Sequence, residues 1–179
     1  MADKVLVAYA TRYGSTKEVA ESIAATLREN GLVVEIQPLH DVQSLESFSA
    51  VIMGAPLQMF RWHKDALQFL TRFQEILGKL PVAVFALGPF HDVESEWKEV
   101  RSELDKELTK FPWFTPVAIA IFGAKYDPAT LSFPFSLLPA LKQLPASDNR
   151  NWDSIREWVI ELTGKLQLPQ DLTKLKEIL

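Results

Sequence analysis

The sequence predicts an α/β fold, a doubly wound five-stranded parallel sheet with helices on both faces. Three observations support this prediction. Short β-branched runs alternate with helical patterns, several of these runs are apolar at consecutive positions, and the helical patterns place apolar residues three and four positions apart. Continuous apolar runs are typical of parallel strands that helices cover on both sides. At this length we expect the strand order 2-1-3-4-5.

The predicted elements alternate regularly along the chain. The strand-like runs are residues 5–10, 33–36, 51–53, 82–87 and 117–122. The helical patterns cover residues 19–27, 67–77, 97–111 and 155–166. The link over residues 40–49 has room for about one turn of helix. Because the sequence contains no repeat or linker, we predict one domain over residues 1–168 and a short C-terminal tail over residues 169–179.

The composition is that of an ordinary globular protein and excludes several classes of function. Of the 179 residues, 47% are hydrophobic and 23% are charged, none is cysteine, and the formal net charge is −4. The absence of cysteine excludes disulfides, thiol catalysis and cysteine-ligated metal. Because the sequence has no dense Lys/Arg run, we expect no nucleic-acid partner. Redox chemistry would therefore need a bound cofactor.

The N-terminal sequence bears on localisation. After Met1 the chain passes almost directly into a short apolar run, which is too short for the hydrophobic part of a signal peptide. No apolar stretch approaches the roughly 18 residues of a membrane span. We therefore expect a cytoplasmic protein.

The loop after the first predicted strand has the chemistry of a phosphate site. Hydroxyl side chains and free N–H groups at a helix N-terminus match the oxygens of a phosphate, and the helix dipole favours negative charge. Gly14 permits close backbone approach or a positive φ. Because the loop lacks the spacing of triphosphate and dinucleotide loops, a monophosphate is favoured. The alternative is a helix capped by Ser15 or Thr16 without a ligand. The loop reads Ala10-Thr11-Arg12-Tyr13-Gly14-Ser15-Thr16.

Two further loops are predicted at the same edge of the sheet. The loop after the third strand is apolar and aromatic, and it either flanks a flat conjugated ring or packs over the core. The loop after the fourth strand supplies another wall. Because doubly wound sheets bind ligands beyond the carboxyl ends of their strands, the three loops predict a phosphate cradle beside an aromatic slot. The second and third loops read Gly54-Ala55-Pro56-Leu57-Gln58-Met59-Phe60-Arg61-Trp62-His63 and Leu87-Gly88-Pro89-Phe90-His91-Asp92.

The first loop resembles the flavodoxin phosphate signature Thr/Ser-x-Thr/Ser-Gly-x-Thr. Thr11, Gly14 and Thr16 match the signature, and Tyr13 departs from it. The wider pattern is similar to the flavodoxin-domain family that includes menaquinone-dependent protoporphyrinogen oxidases, and the similarity covers about residues 4–163. Besides the first loop, the segments that carry it are residues 61–63, 122–127 and 150–158.

This resemblance implies a flavodoxin-like fold that binds FMN non-covalently through the three loops. No grouping of side chains identifies a catalytic residue, so the flavin would supply the redox chemistry and the protein would orient it. The residues expected to contact FMN are Thr11, Arg12, Tyr13, Gly14, Ser15 and Thr16 in the first loop, Pro56, Leu57, Gln58, Met59, Phe60 and Trp62 in the second, and Gly88, Pro89 and Phe90 in the third.

The three histidines do not form a metal-binding pattern. His40, His63 and His91 are far apart in sequence and make no HExxH pair, so we predict no metal site. His63 and His91 lie in the proposed cofactor loops. Each is either an ordinary exposed histidine or a group that tunes flavin protonation, because histidine titrates near neutral pH.

Two segments lie outside the predicted scheme. The stretch Leu131–Leu144 is unusually apolar for a connection between a strand and a helix. It either packs over one edge of the sheet or presents a membrane, subunit or partner surface, with Leu131–Leu141 as the contact. The tail has apolar residues at helical spacing over residues 171–179 and docks either on its own domain or on a second subunit of a homodimer.

Three functions are compatible with these features. The first is an FMN-dependent oxidoreductase that moves electrons between a reduced substrate and an acceptor such as a quinone. The second is a flavodoxin-type carrier between redox partner proteins, and the third is a flavin-free interaction module. A carrier that docks on basic partners profits from a strongly acidic surface, whereas the net charge here is only −4. The charge therefore favours the enzyme.

Overall fold

A computed structural model of the chain describes residues 4–166, and strands and helices alternate along it. The strands are β1 (Lys4–Tyr9), β2 (Val33–Pro38), β3 (Ala50–Gln58), β4 (Arg61–Trp62), β5 (Val82–Leu87), β6 (Ala118–Phe122), β7 (Lys125–Tyr126) and β8 (Ser147–Asp148). The helices are α1 (Ser15–Glu29), α2 (Lys64–Arg72), α3 (Gln74–Leu77), α4 (Glu94–Leu108), α5 (Pro139–Lys142) and α6 (Trp152–Lys165). The predicted tail over residues 169–179 lies outside the described residues.

The five long strands form a parallel sheet in the order β2-β1-β3-β5-β6. Counted along the chain, these are the second, first, third, fourth and fifth long strands, so the predicted order 2-1-3-4-5 is confirmed. The winding direction reverses between β1 and β3. In such a sheet the ligand site lies beyond the carboxyl ends of the strands at this reversal.

Helices cover both faces of the sheet. On one face, α1 and α6 pack against side chains such as Val7 of β1, which belongs to the same buried cluster as Ile23 of α1. On the other face, Leu6 of β1 belongs to the cluster that contains Leu70 of α2 and Leu104 of α4. Neighbouring residues of β1 thus enter opposite core layers, because successive strand side chains point to opposite faces. This explains why the strands are apolar at consecutive positions.

The third strand continues further than the sequence predicted. β3 runs to Gln58 and turns back through Met59 and Phe60 into β4, which pairs with it antiparallel. A two-residue hairpin of type I′ needs positive φ at both turn positions, and the φ values of Met59 and Phe60 are 50° and 63°. Asn and Gly are the residues usually found in such a turn, so the sequence here did not indicate one.

The chain between β6 and α6, residues 123–151, leaves the main sheet, and we call it the excursion. Near its two ends, β7 and β8 pair as an antiparallel ribbon. We call the intervening residues 127–146 the cover segment, which consists of short helical turns. The N–H of Ala124 donates to the carbonyl of Pro89 at 2.8 Å, and the N–H of Asn149 donates to the carbonyl of Ala124 at 3.0 Å. These bonds fix the base of the excursion beside the loop that follows β5.

Candidate functional site

A cavity of about 280 Å³ lies at the carboxyl edge of the sheet. Its walls come from the loop after β1, the end of β3, the loop after β5, strand β7 and the cover segment. Of the residues predicted from the sequence, those that line the cavity are Arg12, Tyr13, Ser15, Thr16, Pro56, Leu57, Gln58, Met59 and Phe90. The sheet reversal and the three loops therefore meet at one site, as the topology requires.

The remaining predicted residues do not line the cavity. Thr11 and Gly14 shape the first loop, and Phe60 is exposed in the hairpin next to Met59. Gly88 and Pro89 are buried below Phe90. Trp62 is only 2% exposed and lies in the core.

One end of the cavity is an uncapped helix N-terminus. Gly14 precedes α1 with φ 92°, a left-handed conformation that suits glycine. Its N–H donates to the Thr11 hydroxyl oxygen at 2.8 Å, and no side chain caps the helix. The interpretation in which Ser15 or Thr16 caps α1 is therefore wrong. Because the first N–H groups of a helix have no partner within it, they are free to bind an anion.

Thr16 adds a second polar group to this end of the cavity. Its side chain is fully buried, and within residues 4–166 its hydroxyl has no hydrogen-bond partner. A buried polar group left without a partner costs about 1–3 kcal/mol, so in a native protein such a group calls for an explanation, such as a bound water, ion or ligand. Since Thr16 lines the cavity in the first turn of α1, a phosphate oxygen would supply the missing acceptor.

The other end of the cavity is apolar and aromatic. The ring of Phe90 meets that of Tyr126 edge to face, with centroids 6.0 Å apart. The Tyr126 hydroxyl in turn donates to the carbonyl of Leu141 in the cover segment at 2.5 Å. The loop after β5, the ribbon and the cover segment thus form one continuous wall.

Arg12 connects the cover segment to the opposite wall. Its guanidinium carbon lies 4.7 Å from the ring centroid of Phe135, a cation–π distance. Its Nη1 donates to the side-chain oxygen of Gln58 at 3.2 Å. The first loop, the hairpin and the cover segment are therefore joined through one side chain at the mouth of the cavity.

Neither histidine of the cofactor loops lines the cavity. The His63 ring accepts the N–H of Asp65 at 3.2 Å and caps α2, and burial lowers the pKa of His63. His91 lies 2.8 Å from a carboxylate oxygen of Glu96, and this hydrogen bond lowers the pKa of Glu96. Both contacts give the histidines structural roles.

The sequence did not assign the ribbon and the cover segment to the site. Leu131, Phe135 and Leu141 line the cavity, whereas Phe133 and Leu137 are exposed. The apolar stretch therefore forms part of the cavity wall and also part of the exposed protein surface. Its apolar composition directly after the fifth long strand was the available signal, because that strand ends at the same edge as the three loops.

Residues 4–166 contain no group of three or more His, Asp or Glu residues that could hold a metal ion. Across this described part of the chain, no helix combines the length and apolar character needed to cross a membrane.

The fold and the site define a doubly wound protein with a cavity and an uncapped helix N-terminus at the sheet reversal. The family model described as the Flavodoxin domain matches residues 6–133 of the 179, which is more than half of the chain. The chain therefore belongs to the flavodoxin domain family. FMN is the cofactor of this family, in agreement with the sequence prediction.

Individual relatives agree with this assignment. The protoporphyrinogen IX dehydrogenase [quinone] of Escherichia coli K12 is 26% identical over 124 residues, which cover 68% of each chain. Oxidised Flavodoxin 1 from Bacillus cereus superposes with a TM-score of 0.59 at 19% identity, covering 90% of this chain and 98% of that one. A short-chain flavodoxin associated with a bacterial microcompartment gives a TM-score of 0.60 at 14% identity, with coverages of 92% and 99%. At these identities the solved structures support the fold.

Proposed function

We propose that the chain is an FMN-dependent oxidoreductase that passes electrons between a reduced substrate and an acceptor such as a quinone. The main support is the apolar wall that the cover segment adds opposite the three cofactor loops. A carrier that serves protein partners needs only an accessible flavin edge, whereas a cavity with aromatic walls suits a small, flat, apolar molecule. The name of the Escherichia coli relative, which specifies a quinone, points the same way.

The residues of the site fit FMN. The N–H groups that begin α1 and the Thr16 hydroxyl would hold the phosphate, and Pro56, Leu57 and Phe90 would flank the ring. When bound, FMN supplies the one- and two-electron redox chemistry. Tyr126 of β7 and Phe135 of the cover segment would exclude water from the reacting face.

A direct test begins with the absorption spectrum of the purified protein and the identity of the released flavin. The flavin is then reduced anaerobically and mixed either with a water-soluble quinone analogue or with an electron-accepting redox protein. We expect the quinone analogue to reoxidise the flavin in a saturable reaction. Reoxidation by the redox protein alone would instead identify a carrier.

Replacing Thr16 with Val is expected to change apoprotein stability and FMN affinity in opposite directions. The substitution nearly preserves the shape and removes the unpartnered hydroxyl, so the apoprotein should be as stable as before or up to about 1–2 kcal/mol more stable. FMN affinity should fall about ten- to a hundredfold, because a hydrogen bond to a charged group is lost. Denaturant unfolding and FMN titration measure the two effects.

Thr26→Val is the matched control for this change. Thr26 is also buried in α1, but its hydroxyl donates to the carbonyl of Ser22 at 3.1 Å. Its replacement should leave FMN affinity unchanged. If Thr16→Val destabilises the apoprotein and leaves FMN affinity intact, the hydroxyl does not serve the phosphate.

Exposed apolar side chains lie in the two segments that contribute Met59 and Phe135 to the cavity. Met59 and Phe60 are 77% and 63% exposed in the hairpin, and Phe133 and Leu137 are 75% and 67% exposed in the cover segment. Quinones with long tails reside in bilayers, so an enzyme that reduces them needs contact with the membrane surface. We infer that the cover segment provides this peripheral contact through apolar side chains that enter the interface.

The double change Phe133→Ser and Leu137→Ser is expected to weaken liposome binding by about tenfold or more, because burying each apolar side chain contributes about 1.5–3 kcal/mol. FMN content and reduction of a water-soluble dye should not change, because neither residue lines the cavity. Sedimentation with liposomes that contain a quinone measures binding, and reduction of that quinone measures turnover. Val33→Ser with Ile160→Ser, two exposed apolar residues on β2 and α6, is the control. Equal binding by both double variants would exclude the cover segment as the contact.

A further inference from the structure

Arg150 is a buried cation next to the first turn of α1. Its side chain is only 3% exposed, although the residue belongs to the connection between β8 and α6. Nε and Nη2 donate to the two carboxylate oxygens of Asp148 at 2.8 and 2.7 Å. Nη1 donates to a carboxylate oxygen of Glu18 at 2.5 Å and to the carbonyl of Ser15 at 3.3 Å. The guanidinium therefore joins the excursion directly to the uncapped helix N-terminus.

Glu18 explains why a cation is needed at this place. It lies in the first turn of α1 and lines the same cavity as Ser15 and Thr16. A carboxylate in the first turn stabilises a helix, but it repels an anion bound at the same N-terminus. The neighbouring cation Lys17 does not line the cavity and lies 3.8 Å from Glu21. Arg150 is thus the cation that pairs with Glu18 within the described residues.

Asp148 holds the guanidinium in place. A bidentate pair fixes both the position and the plane of an arginine fork. The hydrogen bonds from Arg150 keep the pKa of Asp148 below its ordinary value, so this carboxylate stays ionised at neutral pH. Arg150 also stacks on Trp152, with its guanidinium carbon 4.7 Å from the ring centroid. These contacts leave Nη1 directed at the first turn of α1.

We propose that Arg150 is a positioning residue for the phosphate end of the site, because it neutralises Glu18 and fixes the first turn of α1 so that this N-terminus accepts a phosphate dianion. The inference rests on the proposed FMN function. Arg150 acts through Glu18 and the Ser15 carbonyl, so its effect depends on the phosphate and not on the flavin ring. FMN and riboflavin, which differ by that phosphate, therefore separate this role from general support of the fold.

Arg150→Gln is expected to weaken FMN binding by about tenfold or more, because Glu18 is left unpaired beside the phosphate, while riboflavin affinity changes by less than about threefold. Arg150→Lys keeps the charge without the fork and should recover part of the loss. Fluorescence titration of each apoprotein with both flavins gives the dissociation constants. Arg156→Gln is the control for loss of an arginine–carboxylate pair on α1, because Arg156 of α6 is 52% exposed and pairs with Glu29 at 2.6 Å near the far end of α1. It should change neither affinity.

Changes at Glu18 test the same inference without removing the buried arginine. The double variant Arg150→Gln, Glu18→Gln should bind FMN within about threefold of the unchanged protein, because the repelling carboxylate is gone. Glu18→Gln alone should raise FMN affinity about two- to tenfold and leave riboflavin affinity unchanged, because Nη1 of Arg150 is released. If Arg150→Gln does not fold, this single variant decides the question.

Two results would overturn the inference. One is an equal loss of FMN and riboflavin affinity in Arg150→Gln, which indicates a structural role. The other is an FMN affinity that does not rise in Glu18→Gln. The inference depends only on the FMN-binding part of the proposed function. Failure of that part is distinguishable, because the unchanged protein would then bind neither flavin. Inorganic phosphate then becomes the probe for the same variants, with its affinity measured as the rise in the unfolding midpoint. If phosphate raises the unfolding midpoint equally in the unchanged protein and in every variant, the proposed role of Arg150 is contradicted.

Discussion

Replacing Trp62 with Ala is expected to lower the free energy of unfolding of the apoprotein by about 3–5 kcal/mol. Trp62 is among the largest fully buried side chains, at 2% exposure. Its indole N–H donates to the carbonyl of Ala55 at 3.2 Å, and it shares a buried cluster with Leu57 and Phe69. Removal of the ring leaves a cavity and removes the hydrogen bond to the Ala55 carbonyl. The loss belongs to the core and should appear without any flavin.

Denaturant unfolding of the apoprotein measures this effect. The matched control is Phe60→Ala, because Phe60 lies in the same hairpin but is 63% exposed. Its replacement should cost less than about 1 kcal/mol. If Trp62→Ala unfolds at the same denaturant concentration as the unchanged apoprotein and loses only FMN affinity, then Trp62 contacts the flavin ring, as the sequence indicated.

The contrast between these two aromatics shows why the second loop was hard to predict. Met59 and Phe60 adopt positive φ although neither is the Asn or Gly usual in such a turn, so no residue pattern indicated a hairpin. The hairpin places Trp62 opposite Leu57 and turns it into the core. A one-residue difference in register would direct the side chain to the other face. The sequence therefore indicated a large aromatic residue at position 62, but the face to which its side chain points depended on the tertiary structure.

The first loop was predictable because its chemistry is local. Gly14, the hydroxyl residues and the start of a helix follow one another in the sequence, and the free N–H groups and dipole at a helix N-terminus favour an anion. The strand order was predictable because parallel strands that are buried on both faces are apolar at consecutive positions. The core layers of β1, with Leu6 on one face and Val7 on the other, bear this out.

The cover segment and Arg150 were not predictable because their contacts span long stretches of sequence. Arg12 meets Phe135 across the cavity, and Arg150 reaches Ser15, 135 positions away. Neither contact has a periodic signal. The cover segment contains several prolines and only short helical turns. It therefore has no strand or long helix whose periodicity would show in the sequence. Only the packed structure shows which of these side chains face the cavity.

Gly14→Val is expected to reduce FMN affinity by about a hundredfold. Gly14 has φ 92°, and a Cβ added there meets no other atom within 4 Å, so the first cost of a side chain is the backbone conformation. Holding a non-glycine residue in the left-handed region costs about 1–2 kcal/mol, and more for a β-branched one. The loop relieves this strain by leaving that conformation. The N–H groups at the start of α1 then lose the alignment that two or more charge-assisted hydrogen bonds to phosphate require.

Gly31→Val separates strain from function. Gly31 follows α1 with φ 86° and also has no atom within 4 Å of an added Cβ, so both substitutions impose the same kind of backbone strain. We expect the two apoproteins to lose similar free energies of unfolding, about 1–2 kcal/mol or more. FMN titration should then show a loss for Gly14→Val alone, with riboflavin bound equally by both variants. Equal FMN affinities in two folded variants would mean that the phosphate is held elsewhere than at the start of α1.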